Sequence, residues 1–187
     1  TRDILRNNNE SIVGEPLVID DVIYFVSYKS TQDVMLRAVN LNNGSEVSTL
    51  SLGKASKGAH MNAPAELSPR LAMGRSHLMV QMNNGALIAV DPHTMKIAWA
   101  YSQKIRPSGV AMMRRHGYAV ADALARHTGE VIALDGLVIA KDTRTNRIVA
   151  MREYDASLLW ESEADADATI VHQDAQHIYL LGEELVA

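Results

Sequence analysis

Residues Gly85–Trp99, GALIAVDPHTMKIAW, constrain the fold most. Leu87 to Val90 is apolar at every position, so both faces of an extended segment here need covering. Asp91-Pro92-His93-Thr94 supplies turn chemistry, because Asp accepts hydrogen bonds from the backbone ahead of it and Pro fixes φ. Lys96–Tyr101 then reads as a second strand, carrying Trp99. A strand with two greasy faces cannot be stable as a lone hairpin, and this unit recurs along the chain.

The recurrences can be placed in order. Thr1–Glu10 reads as a polar lead-in or an incomplete earlier element. Residues 11–52 form a first unit: a short strand at Leu17–Ile19, a turn at Asp20-Asp21, strands at Val22–Tyr28, Val34–Leu41 and Val47–Leu52. Asn42-Asn43-Gly44 follows the third of these strands, and Asn-Gly is a strong hairpin signal because both residues tolerate positive φ. Residues 53–65 are a polar connector. The second unit, 66–101, holds Leu71–Met73, a Gly74-Arg75 turn, His77–Met82 and the opening stretch. A third unit, 130–161, repeats the rhythm through Val131–Leu134, Leu137–Lys141, Arg147–Arg152 and Ser157–Trp160. A fourth, 168–187, holds Ala168–His172, His177–Leu181 and the start of another strand. Between the second and third units the rhythm breaks. Val110, Met113, Gly117, Val120 and Leu124 recur at three- and four-residue steps, which predicts a helical insertion over 103–128; a discontinuity there is the alternative.

Counting fixes the register. Ala89 and Trp99 are ten positions apart, as are Ala150 and Trp160, and Ala38 plus ten reaches Ser48. Strand-rich units at a period of tens of residues indicate a repeat architecture. Four antiparallel strands per unit indicate a β-propeller blade. The predicted fold class is therefore all-β, a partial propeller of four-stranded antiparallel blades.

The pattern Gly-x-apolar-x-Ala-apolar-Asp-x-x-Thr-x-x-x-x-Trp resembles the repeat of the quinoprotein-like, or pyrroloquinoline-quinone (PQQ)-repeat, propellers. Gly85, Leu87, Ala89, Asp91, Thr94 and Trp99 match it, and Met95 departs from the usual Gly. The third unit matches at Ile148, Ala150, Leu159 and Trp160, with Arg152 in place of Asp. The first matches at Ala38, Asn40 and Gly44, with Ser48 in place of Trp. The resemblance implies that Trp99 and Trp160 pack between neighbouring blades. It also implies about six to eight blades in a closed ring, so the remaining blades are expected outside this segment.

Composition narrows the function classes. The chain has 187 residues, 47% hydrophobic and 21% charged, with formal net charge −4 and no cysteine. Disulfides, thiolate metal sites and cysteine nucleophiles are excluded. The acidic balance argues against nucleic acid, and no apolar run reaches membrane-span length. Glu161, Glu163, Asp165 and Asp167 alternate, so on a strand they share a face that offers oxygen ligands to a hard cation. The commoner outcome is a solvated connector whose charge discourages edge pairing. His116, His127, His172 and His177 show no zinc spacing. Arg114, Arg115, His116, Arg126 and His127 make the most basic patch, read as a solvated helix face.

Two function classes follow from the resemblance. One is a non-catalytic propeller that binds protein partners without a cofactor, as in scaffold members such as the outer-membrane assembly lipoprotein; this implies a periplasmic or extracellular location. The other is a segment of an alcohol or sugar dehydrogenase that uses PQQ with calcium. That class uses a disulfide of adjacent cysteines, a stacking Trp, calcium ligands and a catalytic Asp. The cysteines are absent and the other groups match no motif here, so no catalytic or cofactor residue carries over. An extracellular sensor domain is a third reading.

Overall fold

The computed structural model describes residues 10–29, 32–54, 69–82, 85–102, 130–142, 147–163, 169–173, 177–181 and 185–186. The described residues form four antiparallel sheets in chain order. The first contains β1 (Glu10–Ile19), β2 (Val22–Lys29), β3 (Asp33–Asn40) and β4 (Glu46–Lys54). The second contains β5 (Arg70–Met73), β6 (Leu78–Gln81), β7 (Ala86–Asp91) and β8 (Lys96–Ser102). The third contains β9 (Glu130–Leu134), β10 (Leu137–Asp142), β11 (Arg147–Arg152) and β12 (Leu158–Glu163). The fourth contains β13 (Thr169–Gln173), β14 (Ile178–Leu181) and β15 (Leu185–Val186). Each sheet pairs its strands in sequence order, which is the meander of a propeller blade. The helix predicted over 103–128, and the basic patch within it, lie outside the described residues.

The sheets stack face to face, and side-chain alternation passes the core from one to the next. Tyr24, Val26 and Leu36 of the first sheet meet Leu78, Val80 and Val90 of the second. The intervening residues of the second sheet, Met79, Leu87 and Ala89, point the other way and meet Val138, Val149 and Met151 of the third. In turn Ile139, Ile148 and Ala150 pack on Ile170, with Ile178 and Leu180 of the fourth. This is why β7 has no polar face: both sides are buried between neighbouring blades, as in any sheet covered twice.

The register repeats as well. Ala38 faces Ser48, Ala89 faces Trp99 and Ala150 faces Trp160. A bulge follows each of these pairs on the outer strand pair. The turn after each third strand also repeats. Gly44 donates its N–H to the carbonyl of Asn40 at 2.9 Å, Met95 to that of Asp91 at 2.8 Å and Ala156 to that of Arg152 at 3.1 Å. Gly44, Met95 and Ala156 all have positive φ, which explains the usual Gly at this position. Met95 and Ala156 adopt it without being glycine.

Asn43-Gly44 lies in the expected hairpin turn, between β3 and β4, while some strand bounds need correction. Only Gly44 of the pair is left-handed, and it closes a longer turn capped by Asn40 Oδ1, which accepts the N–H groups of Asn42 (2.9 Å) and Asn43 (3.2 Å). The first strand is not confined to Leu17–Ile19. It starts at Glu10, because Gly14 takes φ 72° and absorbs a register shift between Val13 and Leu17. A Cβ on Gly14 would lie 2.3 Å from the Pro69 carbonyl oxygen, so the absence of a side chain also lets the first two blades approach. The last strand of the third unit does not end at Trp160 but runs through Glu163.

Asp91 does in the second blade what Asn40 does in the first. Its Oδ1 accepts the N–H groups of His93 (2.9 Å) and Thr94 (3.2 Å). The Thr94 hydroxyl and these two amides hold its carboxyl below the usual Asp range. A folded-state value below the unfolded one gives stability that is present above the ordinary Asp range and lost as pH falls through the folded value. Carboxyl chemical shifts should therefore show Asp91 titrating below an unstructured Asp. Asp91→Asn should keep the turn and lose this acid dependence, whereas Asp91→Ala should lower the thermal midpoint.

Candidate functional site

The innermost strands of successive sheets sit side by side: β1 contacts β5, and β5 contacts β9. Together with Ile170 of β13 they line a cleft of about 290 Å³ that includes Glu15, Leu17, Arg70, Leu71, Glu130 and Val131. This is where an axial ligand would sit in a propeller. Its charged side chains already have protein partners. Arg70 pairs with Glu15, and Glu130 Oε2 accepts the N–H of Ile170 at 2.6 Å. A calcium ion needs six to eight oxygen ligands, and these two carboxylates are engaged by a guanidinium and a backbone amide. Among the described residues no three His, Asp or Glu side chains gather around a common point.

The acidic alternation resolves into a local ion pair. Glu161 and Glu163 lie on β12, outermost in the third sheet, and share a face as period-two geometry requires. Arg147 of β11, registered opposite Glu163, pairs with Glu161 and approaches Glu163 at 3.9 Å. Asp165 and Asp167 lie outside the described residues. His177 tilts against Tyr179 with ring centroids 6.1 Å apart.

The two tryptophans differ. Trp99 is half-buried among the residues joining the second and third sheets, and its indole N–H donates to the Glu153 carbonyl at 2.7 Å. Trp160, in the same register, is 41% exposed. Leu158, Leu159 and Tyr154 are exposed as well, the last at 84%. β12 is exposed along its whole length. Its outer edge has no strand paired to it among the described residues, which is the geometry that receives a partner strand or a partner surface.

Sequence reasoning missed two features. The first is a polar network on one face of the first blade. Arg37, 7% exposed, donates from one terminal nitrogen to both carboxylate oxygens of the buried Glu10 at 2.9 and 2.8 Å. It also reaches Glu46, Thr49 (3.3 Å) and Ser27 (3.3 Å), and Ser27 donates to Glu10 at 3.1 Å. The only hint was an arginine inside an otherwise apolar strand. The second is Glu153, almost fully buried in the turn between β11 and β12.

The stacked two-sided blades and the alanine–tryptophan register define a β-propeller of the PQQ-repeat class. Within that class, the chain belongs to the family of the outer membrane protein assembly factor BamB, whose model matches residues 30–187. No curated protein matches the sequence. Among solved structures, BamB from Moraxella catarrhalis is similar at 16% identity and a TM-score of 0.58, covering 90% of this chain and 43% of that one. The quinohemoprotein alcohol dehydrogenase from Comamonas testosteroni is similar at 17% identity and TM-score 0.55, covering 83% and 21%. A europium-containing methanol dehydrogenase is similar at 14% identity and TM-score 0.52, covering 83% and 26%. The chain thus spans less than half the length of these structures. At such identities they share the fold with it.

Proposed function

We propose that this chain is part of a non-catalytic propeller that binds protein partners during outer-membrane protein assembly, on the periplasmic side, with no cofactor. The observation that carries the reading is the match to the outer membrane protein assembly factor BamB across residues 30–187. The distribution of side-chain chemistry supports it. Between the blades, polar groups are few and mostly engaged; the surface offered to a partner is the rim, where β12 presents Leu158, Leu159 and Trp160. The carboxylates of the axial cleft are held by Arg70 and by the Ile170 amide, which leaves them poorly placed to ligate calcium beside a quinone.

Two measurements on the full-length protein test this. Its depletion in the source organism should lower the content of folded outer-membrane β-barrels; unchanged content would remove the assembly role. Titration with PQQ and calcium should leave the quinone absorbance unshifted and give no alcohol-dependent dye reduction. Saturable quinone binding with turnover would replace the scaffold reading by a dehydrogenase.

A further inference from the structure

The turn between β5 and β6 has the form of an anion site, and it is occupied by a side chain from the next blade. The backbone N–H groups of Arg75, Ser76 and His77 converge on the carboxylate of Glu153 at 2.9, 2.7 and 2.8 Å. Successive N–H groups aimed at one point form a nest, a concavity that binds anions. Gly74 completes it, because a Cβ there would lie 2.6 Å from the carboxylate carbon. The same residue is held at its other end, where its carbonyl accepts the Trp99 indole N–H. The repeat does not call for this arrangement. Aligned on Ala38, Ala89 and Ala150, the Glu153 position holds Leu41 in the first blade and Pro92 in the second, and neither supplies an anion.

We propose that residues 74–77 are a carboxylate-binding nest which Glu153 fills across the blade boundary, making the joint between the second and third blades a clasp that ionised Glu153 closes and acid opens. A buried carboxylate is tolerated only where charge-assisted hydrogen bonds replace its water. Three amides do so here. The charged and titratable groups on the surrounding elements are few. The β5–β6 turn contributes His77, whose Nδ1 lies 3.5 Å from Glu153 Oε1, and the exposed Arg75. The β11–β12 turn itself contributes the exposed Arg152, Tyr154 and Asp155. The β9–β10 turn, whose Gly136 carbonyl accepts the Glu153 N–H at 2.8 Å, contributes the exposed Asp135, and from β8 the contact is the uncharged indole of Trp99. His77 Nδ1 is buried with no hydrogen-bond partner among the described residues, so when protonated it adds attraction to the ionised carboxylate.

The direction of the pH effect follows. Burial pushes the Glu153 carboxyl up, but the three amides and His77 outweigh it and hold it below the usual Glu range. The clasp is therefore closed above the ordinary Glu range and released as pH falls through the lower, folded-state value. Losing it exposes the joint between two blades while the alternating apolar core between them remains.

Hydrogen–deuterium exchange on the full-length protein tests the clasp through the amides of residues 75–77. At neutral pH their protection should fall about tenfold or more in Glu153→Gln, as expected for loss of hydrogen bonds to a charged acceptor. Gly74→Ala, which leaves the carboxylate intact but crowds it out, should do the same. Glu163→Gln, on an exposed part of β12, is the control and should change nothing at 75–77. In Glu153→Ala, added formate should restore protection to the same three amides; no restoration would overturn the nest as an anion site. In the wild-type protein protection should drop as pH falls below the ordinary Glu range, after correction for intrinsic exchange. Should Glu153→Gln fail to fold, the wild-type pH series and Gly74→Ala decide the matter. Undiminished protection in either would overturn the clasp.

Discussion

Replacing Arg37 with alanine lowers the stability of the blade that contains it by about 3–5 kcal/mol, the range for removing one partner of a buried ion pair. The size comes from what is left behind. Glu10 has no exposed side-chain surface, and Arg37 supplies two of its hydrogen bonds. Without the guanidinium, the remaining described partners are the Ser27 hydroxyl at 3.1 Å and Lys29 Nζ at 3.9 Å. Neither replaces a pair of short charge-assisted bonds in a dry site. The effect is therefore one of an abandoned charge rather than of a lost attraction. A double variant separates the two. Arg37→Met with Glu10→Gln removes both charges and should recover most of the loss, since an apolar or neutral replacement of a whole buried pair is often close to neutral. Urea denaturation of the full-length protein, read at its earliest transition, measures both. A single variant within about 1 kcal/mol of wild type would mean that the network behaves as a surface ion pair.

Trp99→Ala should cost about 3 kcal/mol, toward the low end for large aromatic truncations because the ring is only half-buried. Trp99→Phe isolates one component. It keeps most of the apolar body and deletes the indole donor, so it should cost about 1 kcal/mol for the lost bond to the Glu153 carbonyl. The two variants should also loosen the second and third blades relative to each other. That is visible as raised hydrogen exchange in β8 and in the β11–β12 turn, with β2 and β3 unchanged. Equal loosening throughout the chain would mean that Trp99 supports the whole fold and not one joint.

Much of the architecture was legible because blades repeat and strands have a period of two. The unbroken apolar run Leu87–Val90 required cover on both faces, and the structure supplies it from the sheets on either side. The ten-residue interval between alanine and tryptophan became a directly paired couple in β7–β8 and again in β11–β12. Strand ends were less legible. Gly14 and the bulge beside it extend β1 well before Leu17, since a single left-handed residue rescues a register that the alternation of side chains loses. At the other end of the repeat, Glu161 and Glu163 looked like a solvated connector and instead continue β12, held by Arg147 on the neighbouring strand.

The sites were much less legible, and the reason is distance along the chain. Glu153 and residues 75–77 are separated by 76 to 78 positions, and Arg37 and Glu10 by 27. A glutamate in a turn looks the same in sequence whether it points to water or into a neighbour's backbone. The two tryptophans make the same point. They hold one repeat position, yet one gives its N–H to the next blade and the other stands 41% exposed.

The sequence by itself determined the local periodicities: which stretches extend, where they turn, that an unbroken apolar run such as Leu87–Val90 must be covered on both faces, and hence that blades must stack. Tertiary structure alone decided which carboxylate meets which backbone, because a polar group's partner depends on where two distant turns arrive in space. Periodicity is encoded residue by residue and survives any change of neighbours. A buried charge is tolerable only in the company the finished fold provides.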